Sequence, residues 1–407
     1  MAYRHRLIEP RLIDSFSRLP AIMVTGPRAA GKTTTTARLA KTIINLDQPN
    51  VAAAFRADPD VQIARLTEPV LFDEWQEVPE VLGAIKRSVD RDYRPRRFLL
   101  TGSVRASVDP TLWPATGRVA SLHLGPMSQR EIAGCTVNSI FERLQLGEIT
   151  NPTMSVNLEQ YVELACRGGF PQAALADNPT TAKLILDGYA QQLLLNDARA
   201  DSSRRDSQRL RQFITAIAIN SSGIYASKFL NESAKINSAT AQSYEALFTE
   251  LGIVESLAAW STNHVERATS MPKRLLADSG LMARLLHLDP SDIMLDATML
   301  GRVIETFTIN QLLAELYAED TRGRAFHLRT EKGRQEVDLV VEMGDQSLVA
   351  IEVKAQSAPS SDSAKHLLWL KQKVGDRFGA GVVFHTGPMS YRLADRIWAL
   401  PISTIWS

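Results

Sequence analysis

Two glycines, a lysine and a threonine are spaced as G-x-x-x-x-G-K-T in Gly26-Pro27-Arg28-Ala29-Ala30-Gly31-Lys32-Thr33. Each fixed position has a task in holding a nucleoside triphosphate. Glycines reach backbone angles that side chains obstruct, so the loop can wrap closely round an anion. The loop amides and the start of a following helix then point at phosphate oxygens. Lys32 would reach the β and γ oxygens, and the Thr33 hydroxyl would ligate Mg²⁺. Pro27, Arg28, Ala29, Ala30 and Thr34 complete the expected nucleotide contacts. Downstream, Pro69-Val70-Leu71-Phe72-Asp73-Glu74 is an apolar run ending in two carboxylates. Asp73 suits the magnesium shell, and Glu74 suits a base that orients and deprotonates the attacking water.

A second constellation lies near the other end of the chain. Arg334-Gln335-Glu336-Val337-Asp338-Leu339-Val340-Val341 and Leu348-Val349-Ala350-Ile351-Glu352-Val353-Lys354 flank the turn-like Gly344-Asp345. They read as a hairpin. Side chains alternate along a strand, so Glu352 and Lys354 share a face, and Asp338 on the neighbouring strand can meet them. The pattern is D-x(n)-E-x-K. Two carboxylates can hold Mg²⁺ while an ammonium orients water for attack on a phosphodiester. Glu305, in the helical run Arg302-Val303-Ile304-Glu305-Thr306-Phe307, is a candidate fourth member.

These residues need elements to place them. Ala21-Ile22-Met23-Val24-Thr25 before the loop, and Thr34 to Lys41 after it, read as a buried parallel strand and a helix. Further strands are expected at Ile43–Asp47, Arg97–Thr101 and Ser121–Leu124. Residues 1–130 thus alternate strand and helix, the pattern of a parallel α/β sheet with its ligand at the strand ends. Residues 131–205 read as helical, broken at Arg167-Gly168-Gly169-Phe170-Pro171. Residues 206–295 carry three helices, from about Ser207, Ala226 and Ala239, the last capped by Ser238. Two strand candidates follow, Ile253–Leu257 and Arg274–Asp278. That is the layout of a winged helix-turn-helix, with Asn237, Ser238, Thr240, Gln242 and Ser243 as candidate base contacts. Residues 296–407 form the α/β region that holds the hairpin.

Composition narrows the remaining classes. The chain has 407 residues, 44% hydrophobic and 22% charged, enough for two or three cores. A net charge of +1 excludes polyanion binding by bulk charge, so a nucleic-acid site must be a local patch. Two cysteines without a C-x-x-C, and histidines without metal-ligand spacing, argue against structural zinc. No apolar run is long enough to span a bilayer, and no signal-peptide core opens the chain. A cytoplasmic protein without membrane partners is expected.

Together the motifs resemble a family of bacterial and archaeal ATP-binding proteins. These join an AAA-type, additional-strand P-loop ATPase domain to a restriction-nuclease-like C-terminal domain. The matching residues are Gly26-Pro27-Arg28 with Gly31-Lys32-Thr33-Thr34, Ile44-Asn45-Leu46-Asp47, Phe72-Asp73-Glu74-Trp75-Gln76, Leu99-Leu100-Thr101-Gly102-Ser103 and Gly117-Arg118. Gly168-Gly169-Phe170-Pro171 and the terminal Glu336-Val337-Asp338 with Ile351-Glu352-Val353-Lys354 extend the match. Asn196-Asp197-Ala198 departs from the Arg-Asp pair of the family. The resemblance implies ATP and Mg²⁺ as ligands, Thr101 or Ser103 as a γ-phosphate sensor, and Arg118 as an arginine finger acting between copies of a homo-oligomer. It implies an ATPase whose turnover drives a change in the winged-helix and nuclease-like regions. The alternatives are a nucleotide-gated, metal-dependent nuclease and a non-enzymatic ATP switch that binds DNA or a protein.

Overall fold

The computed structural model describes residues 3–102, 118–196, 207–263, 267, 270–319, 323–330 and 333–407. Ser103, Gly117 and Asp197 lie outside the described residues. The chain divides into two compact units. One comprises residues 5–126 with 247–253, the other residues 1–4, 127–246 and 254–407.

The first unit is built on β1 (Ala21–Thr25), β2 (Thr42–Asn45), β3 (Val70–Asp73), β4 (Phe98–Gly102) and β5 (Val119–His123). They lie in the order β2-β3-β4-β1-β5 and every pair is parallel. The central strands β1, β3 and β4 read as apolar runs because both their faces are covered. Ala21, Met23, Val70, Phe72, Phe98 and Leu100 pack on one side, against Val81, Leu82, Ile85 and Val89 of the helix Glu80–Arg91. The alternate residues Ile22, Val24, Leu71, Leu99 and Leu122 pack on the other, against Leu12 and Phe16 of the helix Glu9–Arg18. β4 sits between β1 and β3. The strand carrying Thr101 is therefore inserted between the strand that leads into the glycine loop and the strand that ends in Asp73.

The second unit holds a nine-stranded mixed sheet, ordered β13-β14-β12-β11-β10-β9-β7-β8-β6. Its strands are β6 (Gly223–Ile224), β7 (Val254–Ala259), β8 (Lys273–Leu276), β9 (Arg324–Arg329), β10 (Glu336–Glu342), β11 (Leu348–Lys354), β12 (Phe378–His385), β13 (Tyr391–Ala394) and β14 (Ile397–Pro401). β10 and β11 pair antiparallel, with Leu339 opposite Ile351. The helix Ser207–Ile219 buries Leu210, Phe213, Ile214 and Ile217, the stripe its period dictates. Helices Ser227–Ser233 and Ser238–Glu250 follow. The start of the last is capped by Asn237, whose Oδ1 accepts from Thr240 N at 2.8 Å, rather than by Ser238. β7 and β8 pair antiparallel, and β7 also pairs in parallel with β9, Ala258 opposite Phe326. The two strands expected as a wing thus continue into the sheet of the C-terminal hairpin.

The break at Gly168-Gly169 has a tertiary cause. The buried carboxylate of Asp278 accepts from Gly169 N at 2.6 Å and from Leu281 N at 2.7 Å. It therefore caps the helix Ser279–Leu285 while holding the turn. Gly168 has φ 68°, and a Cβ there would lie 2.5 Å from Asp278 Oδ1. Only glycine satisfies both conditions.

Candidate functional site

Gly26 to Thr33 leaves the carboxyl end of β1 and enters the helix Lys32–Ala37. Gly26 has φ 147°, and a Cβ on it would meet Leu124 O at 2.0 Å. Gly31 has φ 94° and Ala29 φ 59°, so the loop turns through left-handed angles at three of its residues. Lys32 is buried and donates from Nζ to the carbonyls of Gly26 at 3.0 Å and Pro27 at 2.8 Å. Burial pulls its pKa down to about 8, against the opposing pull of Glu74 and Asp73, while Arg28 adds to the fall. Arg28 and Thr34 are exposed on the rim.

Three elements converge on one carboxylate. Thr33 Oγ1 donates to Asp73 Oδ1 at 2.7 Å, and the buried Thr101 hydroxyl donates to the same oxygen. β3 pairs with β4 so that Asp73 stands opposite Thr101. A divalent cation with oxygen ligands has a hydroxyl and a carboxylate already side by side here, which is the donor set it prefers. Glu74 follows in a left-handed conformation, φ 52°, and its Oε2 accepts from Gln76 Nε2. The other end of that amide, Gln76 Oε1, is buried without a hydrogen-bond partner. It lies where a side chain on Gly102 would sit.

Two further residues shape this site. Arg6 is buried beneath the loop and donates to Ala30 O at 2.6 Å and to Gly125 O at 2.8 Å. An arginine ahead of the first helix carries no motif that would mark it. Gly252, far along the chain, backs onto the loop: a Cβ there would be 3.0 Å from Pro27 N.

Arg118 is placed elsewhere. It precedes β5, whose Val119 stands opposite Ala21, whereas the loop follows Thr25 at the other end of the same pair of strands. Five residues of strand, about 16 Å, separate the two ends. Arg118 Nε bonds Asp90 Oδ1 at 2.9 Å on the helix Glu80–Arg91. Within its own chain Arg118 is thus not among the groups round the glycine loop, because parallel register puts it at the amino ends of the strands.

In the second unit Asp338, Glu352, Lys354 and Glu305 come together, with one addition. Lys354 Nζ bonds Glu352 Oε2 at 2.7 Å, and Asp338 Oδ2 accepts from Val353 N at 2.8 Å. Lys273 from β8 enters between the carboxylates. Its Nζ pairs with Glu305 and lies 3.0 Å from Asp338 O and 3.4 Å from Asp338 Oδ1. Burial and the charge of Asp338 push Glu352 up to about 8, against the opposing pull of Lys354. The same two causes push Glu305 up to about 7, against Lys273. Among the described residues no three His, Cys, Asp or Glu side chains are placed to share one metal ion.

Comparison with known proteins fits the first of these sites. Residues 18–133 match the AAA domain family. Residues 158–292 and 300–405 match two families described as domains of unknown function, DUF8612 and DUF4143. Uncharacterized protein Rv2008c of Mycobacterium tuberculosis and its Mycobacterium bovis counterpart Mb2031c are each 27% identical over 410 residues. The match spans 100% of this chain and 85% of theirs. The Walker-type ATPase PABY2304 of Pyrococcus abyssi aligns over 68% of this chain and 94% of its own, at 14% identity and a TM-score of 0.42. Among the described residues no helix is long and apolar enough to cross a membrane.

Proposed function

We propose that this chain is an ATP-hydrolysing P-loop ATPase whose AAA-type domain works on the C-terminal unit. The observation that carries the reading is the meeting of Thr33 and Thr101 at Asp73 Oδ1 beside the buried Lys32. The loop amides and Lys32 bind the triphosphate, trading the carbonyl partners of Nζ for phosphate oxygens. Thr33 and Asp73 would hold Mg²⁺, which would supply charge neutralisation for the phosphates. Thr101 registers the state of the γ-phosphate, a role supported by its hydrogen bond to the same carboxylate. Glu74 orients the attacking water and takes its proton, and Gln76 fixes the direction of the Glu74 carboxylate.

On this reading the three helices and strand pair of residues 207–276 are a winged-helix element, and the sheet from β9 to β14 is nuclease-like. Residues 247–253, which include the end of the helix Ser238–Glu250, belong to the same compact unit as the glycine loop, and on this reading they respond to the ATP cycle. Phosphate release in magnesium, measured with and without duplex DNA, tests both halves of the proposal. Wild-type release no faster than that of Lys32→Ala removes the ATPase. Equal rates with and without DNA remove nucleic acid as the partner.

A further inference from the structure

The D-x(n)-E-x-K pattern of the hairpin invites a divalent metal, but the structure supplies a different cation. We propose that Lys273 is the resident cation of the C-terminal carboxylate cluster, filling the place a metal would take, so that the cluster binds no divalent ion while Lys273 is present. The proposal is independent of the ATP reading.

Lys273 is fully buried, at 0% exposure. An isolated ammonium there is prohibitively costly, so the pocket must provide its counter-charges. It does so with Glu305 and with the carbonyl and carboxylate of Asp338. β8 lies three places from β10 in the sheet order. In a flat sheet that is about 14 Å, beyond the reach of a lysine, so the sheet curls to deliver the ammonium. A lysine brought so far and held at three points is a built component of the cluster.

Ligand capacity gives the same answer. Asp338 Oδ1 faces Lys273 and its Oδ2 is taken by Val353 N. Glu352 Oε2 is taken by Lys354, and Glu305 by Lys273. Glu352 Oε1 is buried with no hydrogen-bond partner, and Glu305 Oε1 makes no hydrogen bond beyond its ion pair with Lys273. Mg²⁺ demands near-octahedral oxygen ligation and Ca²⁺ more ligands still, and among the described residues no three acidic, His or Cys side chains converge to begin such a shell. Charge points the same way. Lys273 and Lys354 oppose Asp338, Glu305 and Glu352, so full ionisation leaves one negative charge, too little to compensate a buried dication.

The test is Mn²⁺ titration of the full chain without nucleotide, followed by calorimetry and by the free-ion electron paramagnetic resonance signal. Wild type and Asp338→Asn should give the same weak, non-saturating uptake. Lys273→Met should gain about one bound Mn²⁺ per chain, as two carboxylates lose their internal cation, and the double variant Lys273→Met/Asp338→Asn should lose it again. Stoichiometric uptake by wild type that Asp338→Asn abolishes would overturn the proposal. So would a Lys273→Met protein with native circular dichroism and no gain. If Lys273→Met does not fold, the comparison of wild type with Asp338→Asn decides alone.

Discussion

Lys32 offers a pH test of the nucleotide site that needs no change in the fold. Burial lowers its pKa to about 8 without nucleotide. At pH 7 the charged form then outweighs the neutral form by about ten to one, and at pH 9 the ratio is inverted. Phosphate oxygens beside the ammonium favour its charged form, so the bound lysine keeps its proton to higher pH. Binding above pH 8 must therefore take up a proton. Affinity for a triphosphate should be nearly constant up to pH 7 and fall about tenfold between pH 7 and pH 9, about 1.4 kcal/mol. Calorimetric titration of a magnesium-bound, non-hydrolysable ATP analogue across that range reads the affinity directly. Repeating it in buffers of different ionisation enthalpy reads the proton uptake. Lys32→Arg should bind with a flat pH profile, because a guanidinium does not titrate there. A wild-type affinity that is constant from pH 7 to pH 9, or a fall of equal slope in Lys32→Arg, would refute the assignment of Lys32 to the phosphate site.

Three other outcomes follow from the geometry. Glu74→Gln should bind ATP as wild type does but release phosphate about 10²- to 10⁴-fold more slowly, since the amide keeps the shape and loses the base; unchanged turnover would remove Glu74 from the chemistry. Arg118→Ala should leave the rate within about twofold, because Arg118 pairs with Asp90 at the amino ends of the strands and exposed pairs contribute little; a drop of the size expected for an arginine finger, relieved by mixing with Lys32→Ala protein, would restore the role in trans. Asp278→Ala should strip the acceptors from Gly169 N and Leu281 N and destabilise the second unit by about 2–6 kcal/mol; a melting curve that superimposes on wild type would show that this carboxylate does not hold the turn.

How much of this was legible beforehand varies by element. The glycine loop, its strand and the carboxylate pair were readable because their constraints are local. A close-wrapped anion loop requires glycines at fixed spacing, and a strand covered on both faces must be apolar throughout. The hairpin of β10 and β11 was readable for the same kind of reason: alternation and a turn are properties of adjacent residues. Where local signals competed, the reading slipped. Ser238 and Asn237 are both good caps, and the chain geometry that favours Asn237 is not written in either residue. Arg118 follows a strand in sequence, but whether it lies at the phosphate end depends on the direction and register of β5 against β1, which is a long-range pairing.

The sequence by itself determined that this protein has a glycine loop of the phosphate-binding pattern, an acidic strand end downstream of it, and a carboxylate-lysine hairpin, because each is a short run whose pattern is set by its neighbours in the chain. Only the tertiary structure decided which distant groups complete those runs. Arg6 braces the loop through Ala30 and Gly125, and Gly252 returns to press on Pro27. Asp278 explains Gly168, more than a hundred residues before it. Lys273 crosses a curled sheet to neutralise Glu305 and Asp338. The physical reason is common to all of them. A buried charge or carbonyl must find a partner in space, and the energy of that pairing carries no mark in the spacing of residues along the chain.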